Sequence, residues 1–109
     1  MATFDKTLDG QVAKFLVKGD FVQSSSSDNL RKALLEAIRS GITTIRIDLR
    51  DADHIDSPSI GLLVSAHNSL RSVSGELIVD QVKPQLAELF TVLQLDKRFK
   101  INQVQEKQA

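Results

Sequence analysis

The stretch from residue 45 to residue 63 decides the fold of this chain, and it reads IRIDLRDADHIDSPSIGLL. Its first part, from Ile45 to Leu49, alternates apolar and polar side chains, which is the pattern of a half-buried β-strand. A short acidic segment follows. Pro58 then marks a helix start, because proline suits the first helical position, and Ser57 before it is a residue type that caps helices. The stretch therefore predicts a strand, a loop and a helix, with Ser57 as the N-cap.

Apolar side chains continue at helical spacing beyond this stretch to about Val73. One side of the predicted helix carries Ile60, Leu63, Val64 and His67. A wide apolar arc of this kind is typical of a helix that packs against a core. We therefore expect the helix over 58–73 to lie against a sheet, with Leu63 buried and His67 as a packing residue.

The chain before this stretch contains a predicted hairpin, a helix and the start of the strand just described. The Asp9-Gly10 pair separates two alternating segments, over 3–8 and 11–18, and predicts a β-hairpin. In the second segment Lys14 and Lys18 share one face, so we expect the sheet to be covered mainly on the other face. A helix over about 28–40 follows, and the next strand covers 43–49.

The chain after the central helix continues with a strand over 76–81, a helix that begins at Pro84, and a short last strand near Phe99 and Ile101. Strands that alternate with helices after an initial hairpin predict an α/β layered fold. A length of 109 residues is that of one domain, so residues 1–109 are expected to form a single domain. The polar segment 102–109 is expected to be a flexible tail.

The composition argues against several classes of function. Acidic and basic residues balance at 14 each, so no net field attracts nucleic acid or an anionic membrane. The chain has no cysteine, which excludes disulfides, thiolate catalysis and cysteine-based zinc sites. No apolar run approaches the ~20 residues of a membrane span. The first residues lack the basic and apolar regions of a signal peptide, so a cytoplasmic protein is expected.

The acidic loop is the one stretch that suggests chemistry at a metal ion or an acid–base pair. It contains Asp48, Asp51, Asp53 and Asp56, with His54 among them. The spacing does not match an EF-hand loop, and a solvated acidic loop after a strand is the favoured interpretation. The sequence also lacks a Gly-x-Ser-x-Gly elbow and a glycine-rich phosphate loop. We therefore predict no catalytic residue, metal site or cofactor, and expect that the protein is not an enzyme.

The segment Asp56 to Gly61 resembles the motif of the STAS family, the anti-sigma factor antagonists of bacterial partner-switching systems. That family carries Asp-Ser-Ser/Thr-Gly-Leu/Ile-Gly at this strand-to-helix junction. Asp56, Ser57, Ile60 and Gly61 match it, whereas Pro58 replaces the usual phosphoacceptor and Ser59 replaces the first glycine. The resemblance extends over roughly the whole chain, from the hairpin to the segment 95–99. It implies a STAS-like single domain, with a mixed sheet and helices mainly on one face.

The resemblance also implies a function in transcription regulation and signal transduction. The protein would bind an anti-sigma factor that is a serine protein kinase, and phosphorylation at the start of the central helix would switch the complex. The phosphorylation candidates are Ser59 and then Ser57, because Ser57 is expected to be occupied as the helix cap. The predicted partner-binding residues are Asp53, Asp56, Ser57, Pro58, Ser59 and, in the serine run before the first helix, Ser25.

Two alternatives stay open at this point. Pro58 favours a phosphorylation-independent STAS module of a larger signalling or sensory assembly, because proline has no hydroxyl to carry a phosphate. A small enzyme or ligand-binding protein that uses the acidic loop is the third reading, and it needs a convergent pocket that the sequence does not reveal.

Overall fold

The computed structural model of the chain describes residues 4–21 and 27–104. Within these ranges the chain forms one sheet, three α-helices and a short 3₁₀ turn. In chain order the elements are β1 (Phe4–Asp9), β2 (Val12–Val17), α1 (Ser27–Arg39), β3 (Thr44–Asp48), α2 (Ser57–Arg71), β4 (Glu76–Val82), α3 (Pro84–Val92), the 3₁₀ turn Leu95–Lys97, and β5 (Lys100–Gln103). Each predicted element is present, with bounds that differ by a few residues.

The five strands lie in the order β1-β2-β3-β4-β5. The hairpin strands β1 and β2 are antiparallel, and the pairs β2–β3, β3–β4 and β4–β5 are parallel. Helices connect the parallel strands, as a parallel crossover requires. The expected mixed α/β sheet with an N-terminal hairpin is therefore confirmed.

One face of this sheet forms the core. The parallel register places Phe15, Ile47 and Val79 side by side, and all three are fully buried. Buried side chains of α1, α2 and α3 belong to the same core cluster, so the helices cover this face. On the opposite face Lys14 is exposed and Arg46 is half-buried. The prediction from the lysines of β2, a sheet covered mainly on one side, is correct.

The central helix α2 packs against β4 and against α1. Its buried residues are Ser59, Leu63, Ala66, His67 and Leu70. Leu63 and His67 are buried as predicted, whereas Ile60 and Val64 are only partly buried. The buried side of α2 is therefore rotated about the helix axis, by about one residue, from the predicted buried side. Ser59 faces the core at the position where Ile60 was expected.

The last strand corrects the predicted tail. Asn102 and Gln103 belong to β5 and lie along β4, and the Val104 N–H donates a 2.8 Å hydrogen bond to the Val82 carbonyl. A flexible tail from residue 102 is therefore wrong for 102–104, because backbone pairing with β4 holds them; residues 105–109 lie outside the described part. In the described ranges, no helix combines the length and apolar character that a membrane span needs.

Candidate partner-binding site

The carboxyl ends of β2, β3 and β4 meet at one edge of the sheet, because these strands are parallel neighbours. The three segments that follow these strands, residues 18–21, 49–56 and Lys83, therefore lie at the same edge. We call this region the carboxyl edge. In open α/β sheets this is the edge at which binding sites usually form.

A carboxylate joins two of these segments. Asp20, just after β2, accepts hydrogen bonds from the backbone N–H groups of Asp53 at 2.9 Å and His54 at 3.1 Å. The bond from Asp53 is the main cause of a lowered Asp20 pKa, with the His54 bond adding to it against a smaller opposing effect of desolvation. Asp20 is therefore ionised at neutral pH, and its negative charge fixes the acidic loop.

The backbone makes a second connection between the same two segments. Phe21 and Ile55 form an isolated parallel bridge outside the five strands. The Phe21 N–H donates to the His54 carbonyl at 3.0 Å, and the Asp56 N–H donates to the Phe21 carbonyl at 3.4 Å. Phe21 is buried, so it anchors this connection in the core. Asp20 and Phe21 therefore fix residues 53–56, the segment that leads into α2.

The N-cap of α2 is Asp56. Its backbone is extended, with φ −105° and ψ 170°, and its side chain accepts a 3.0 Å hydrogen bond from the Ser59 N–H. The prediction that Ser57 caps the helix is wrong, because Ser57 is already the first helical residue and the carboxylate one position earlier takes the free N–H. A negative charge at this position also interacts favourably with the helix dipole. Ser57 and Pro58 are left exposed on the surface.

Ser59 lies in the opposite environment. Its side chain is fully buried, and its hydroxyl has no hydrogen-bond partner in the described part of the chain. The hydroxyl of Ser57 is therefore accessible from solvent, whereas that of Ser59 is not. One reason for ranking Ser59 before Ser57 was the expected cap at Ser57, and that expectation is wrong.

The acidic residues of the loop do not converge. Asp48 points to the open face of the sheet, where Arg50 binds it at 2.6 Å and Lys14 lies 3.7 Å away. Burial of Asp48 raises its pKa, but the hydrogen bonds and charge of Arg50, with Lys14, outweigh this and hold the pKa below its usual value. Asp53 instead pairs with Lys83 at 2.8 Å. In the ranges that the structure describes, no group of three His, Cys, Asp or Glu residues is arranged to hold a metal ion.

The predicted site residues divide into three groups. Asp53, Asp56, Ser57 and Pro58 lie together at the carboxyl edge, whereas Ser59 lies beneath it in the core. Ser25 lies outside the described residues. Asp20 and Lys83 were not among the predicted site residues. Asp20, after β2, and Lys83, after β4, both contact the acidic loop that follows β3. Each lies within three residues of the carboxyl end of a parallel strand, and that position is the signal that would have found them.

Comparison with known proteins agrees with this architecture. The family model of the STAS domain matches residues 7–107. This chain belongs to the STAS domain family. Among curated proteins, it is 29% identical over 90 residues to BtrV of Bordetella bronchiseptica, which is assigned as an anti-sigma factor antagonist; the match covers 83% of this chain and 75% of BtrV.

Solved structures show the same STAS fold. An assigned anti-sigma factor antagonist from Thermotoga maritima superposes with a TM-score of 0.82 at 20% identity, covering 91% of this chain and 85% of that one. The Bacillus cell fate determinant SpoIIAA, in its phosphorylated form, gives a TM-score of 0.73 at 19% identity, covering 90% and 89%. The chain thus has the fold of these STAS domains.

Proposed function

We propose that this STAS domain binds an anti-sigma factor with serine kinase activity through its carboxyl edge, and that phosphorylation of Ser57 weakens the complex. The observation that carries this proposal is the exposed Ser57-Pro58 pair at a helix start that Asp56 and Phe21 hold in place. A fixed, exposed helix start is suited to recognition by another protein. The match to anti-sigma factor antagonists supports the class of partner. The proposed cellular location is the cytoplasm.

The surface around Ser57 also suits a charge switch. Asp53 and the cap residue Asp56 place carboxylates next to it, and Lys83 pairs with Asp53. A phosphoserine adds nearly two negative charges. At the first turn of α2 this charge interacts favourably with the helix dipole, so the domain stays folded while its outer surface becomes strongly acidic. A partner whose surface fits the unmodified carboxyl edge would then face the negative charge of the phosphoserine without a group that neutralises it.

The proposal is tested by incubating the protein with candidate serine-kinase anti-sigma factors and ATP, followed by peptide mapping. We expect phosphate on Ser57 and none in the Ser57→Ala variant. The matched control is Ser65→Ala, because Ser65 is exposed on the same helix two turns further on. Phosphate on Ser59 would contradict the accessibility argument.

Binding is measured separately by calorimetry with the same kinase, without ATP. Ser57→Asp should weaken the complex by about tenfold or more, equivalent to about 1.4 kcal/mol, whereas Ser65→Asp should bind like wild type. The free energy of unfolding of both variants should stay within about 0.5 kcal/mol of the wild-type value, since surface substitutions of this kind have small effects on stability. Equal binding by wild type and Ser57→Asp would argue against the carboxyl edge as the interface.

Pro58 supports a second candidate, a STAS module whose binding does not depend on phosphate. Pro58 is exposed within the first turn of α2 and has no hydroxyl. Intact partner binding without any phosphate on Ser57 or Ser59 would favour this candidate over the switch.

A further inference from the structure

A cleft lies at the opposite edge of the sheet from Ser57, where β4 and β5 begin. It has a volume of about 250 Å³. Its walls are His67 from α2, residues 75–77 where β4 begins, and residues 96–100, which run from the 3₁₀ turn to the first residue of β5. We call it the amino-edge cleft. None of its residues belongs to the proposed partner-binding site, so a ligand here would leave the carboxyl edge free.

His67 is the unusual residue of the amino-edge cleft. Its side chain is only 8% exposed, and its Nδ1 atom is buried without a hydrogen-bond partner in the described part of the chain. The imidazole packs on Phe99, with ring centroids 5.7 Å apart and planes tilted by 56°. Buried polar atoms are nearly always satisfied, so an unpaired imidazole in the wall of a cleft needs an explanation.

The charges around the amino-edge cleft favour an anion. Lys97, Arg98 and Lys100 line it and are exposed, and none of them forms an ion pair within residues 4–21 and 27–104. Glu76 and Asp96 supply the only opposing charges of the described lining, so the cations exceed the carboxylates by one. Three cations that form no direct ion pair with a carboxylate, and an excess of positive charge in the lining, also disfavour a metal ion at this place.

These charges act on His67 as well. Burial lowers its pKa first, and the positive charges of Arg71 on α2 and Arg98 after the 3₁₀ turn lower it further. The charged groups that face His67 from the elements around the cleft are Arg71, Glu76, Asp96, Lys97, Arg98 and Lys100. A bound anion would reverse the balance, because it would neutralise the cations and favour a protonated imidazole.

We propose that the amino-edge cleft binds a small anion that carries a carboxylate or phosphate group. Arg98 and Lys97 attract and orient the anion, since a guanidinium matches the planar geometry of a carboxylate or the oxygens of a phosphate. Phe99 and His67 form the wall against which it rests. The site couples anion binding to proton uptake, so binding should tighten as the pH falls through the pKa of His67.

The test is an NMR titration of the imidazole resonances with inorganic phosphate in one arm and succinate in the other. Ionic strength is held constant with chloride. The pKa of His67 should rise by about 1 pH unit at saturation, since a nearby opposite charge shifts a pKa by about 1–3 units. His54 is the internal control: it is exposed at the carboxyl edge, so neither probe should move its resonances. A larger effect of phosphate would identify a phosphate-bearing ligand, and a larger effect of succinate a carboxylate-bearing one.

A charge-matched pair of double variants completes the test. Lys97→Gln with Arg98→Gln removes two cations from the cleft and should weaken probe binding at least tenfold. Lys32→Gln with Arg39→Gln removes two exposed cations from α1 and should leave it unchanged. The proposal is overturned if neither probe moves His67, if His54 responds equally, or if both double variants bind like wild type.

Discussion

Gly75 offers the sharpest test of how the end of α2 is fitted to the sheet. It follows α2 and immediately precedes β4. A Cβ atom built on Gly75 would lie 2.3 Å from the Thr43 carbonyl oxygen, 3.1 Å from its carbonyl carbon and 3.2 Å from Leu70 Cδ2. The first two are backbone atoms, so they cannot rotate away as a side chain would. We expect Gly75→Ala to force the α2–β4 connection away from Thr43.

The size of the effect follows from what this movement disrupts. The Thr43 carbonyl accepts a 2.9 Å hydrogen bond from the Glu76 N–H, at the point where β3 and β4 begin to pair. Overpacking typically costs about 1–3 kcal/mol, and weakening one hydrogen bond adds about 0.5–1.5 kcal/mol. We therefore expect Gly75→Ala to lower the free energy of unfolding by about 2–4 kcal/mol.

Gly61→Ala is the matched control, since it makes the same substitution near the other end of α2. Gly61 is exposed, and apart from its chain neighbours and the adjacent helix backbone no atom lies within 4 Å of its built Cβ. Alanine is better than glycine in a helix interior by about 1 kcal/mol, so this variant should be more stable than wild type. The two substitutions are thus expected to have opposite signs.

Urea denaturation followed by circular dichroism measures both variants against wild type. The m-values should stay equal, so that midpoint shifts report stability alone. A loss smaller than about 1 kcal/mol for Gly75→Ala would refute the reasoning, because it would show that the connection can move without disturbing the β3–β4 pairing. Destabilisation by Gly61→Ala would show instead that the space beside Gly61 does not accommodate a methyl group.

Three further predictions concern the core and the open face of the sheet. Leu63→Ala should cost about 2–5 kcal/mol in urea denaturation, because Leu63 is fully buried; a loss below about 1 kcal/mol would contradict its position in the core. Ser59→Ala should be neutral or stabilising, since the buried hydroxyl already lacks a partner, and a loss above about 1 kcal/mol would reveal a hydrogen bond to it. The pKa of Asp48 is lowered in the folded state, so its ionised form stabilises the fold at pH values above the usual pKa of an aspartate. The stability difference between wild type and Asp48→Asn should therefore close as the pH falls through the Asp48 pKa in acid denaturation, and a difference that persists there would exclude the ion pair with Arg50 as its source.

The start of α2 shows how far local patterns lead and where they stop. Pro58 correctly marks the first turn, because its fixed φ and missing N–H suit that position whatever surrounds it. The choice of cap between Asp56 and Ser57 depends on which residue is extended. The bridge between Phe21 and Ile55 holds the backbone before α2 extended as far as Asp56. This contact joins segments that are distant in the sequence, so a local sequence pattern cannot indicate it.

The end of α2 gives a second example. A serine followed by a glycine indicates that the helix stops, and glycine is the residue expected in the left-handed conformation after a helix. In the structure it is Ser74 that has this conformation, with φ 59°, whereas Gly75 is needed for its close approach to Thr43. The sequence indicates the place of the turn, but the packing of β3 beside β4 assigns the role of each residue.

The periodicities of apolar residues determined the elements of this protein, their order and the buried face of β2, because those features depend on side chains close in sequence. The motif at residues 56–61 was enough to indicate the family. The tertiary structure alone decided that Ser59 is buried and Ser57 exposed, since the two residues lie about 200° apart around α2 and the packing of the helix on the sheet selects which one faces the core. It also brought Asp20 and Lys83 to the acidic loop and His67 to the cations that follow the 3₁₀ turn, because residues distant in the chain meet only when parallel strands and their helices pack together.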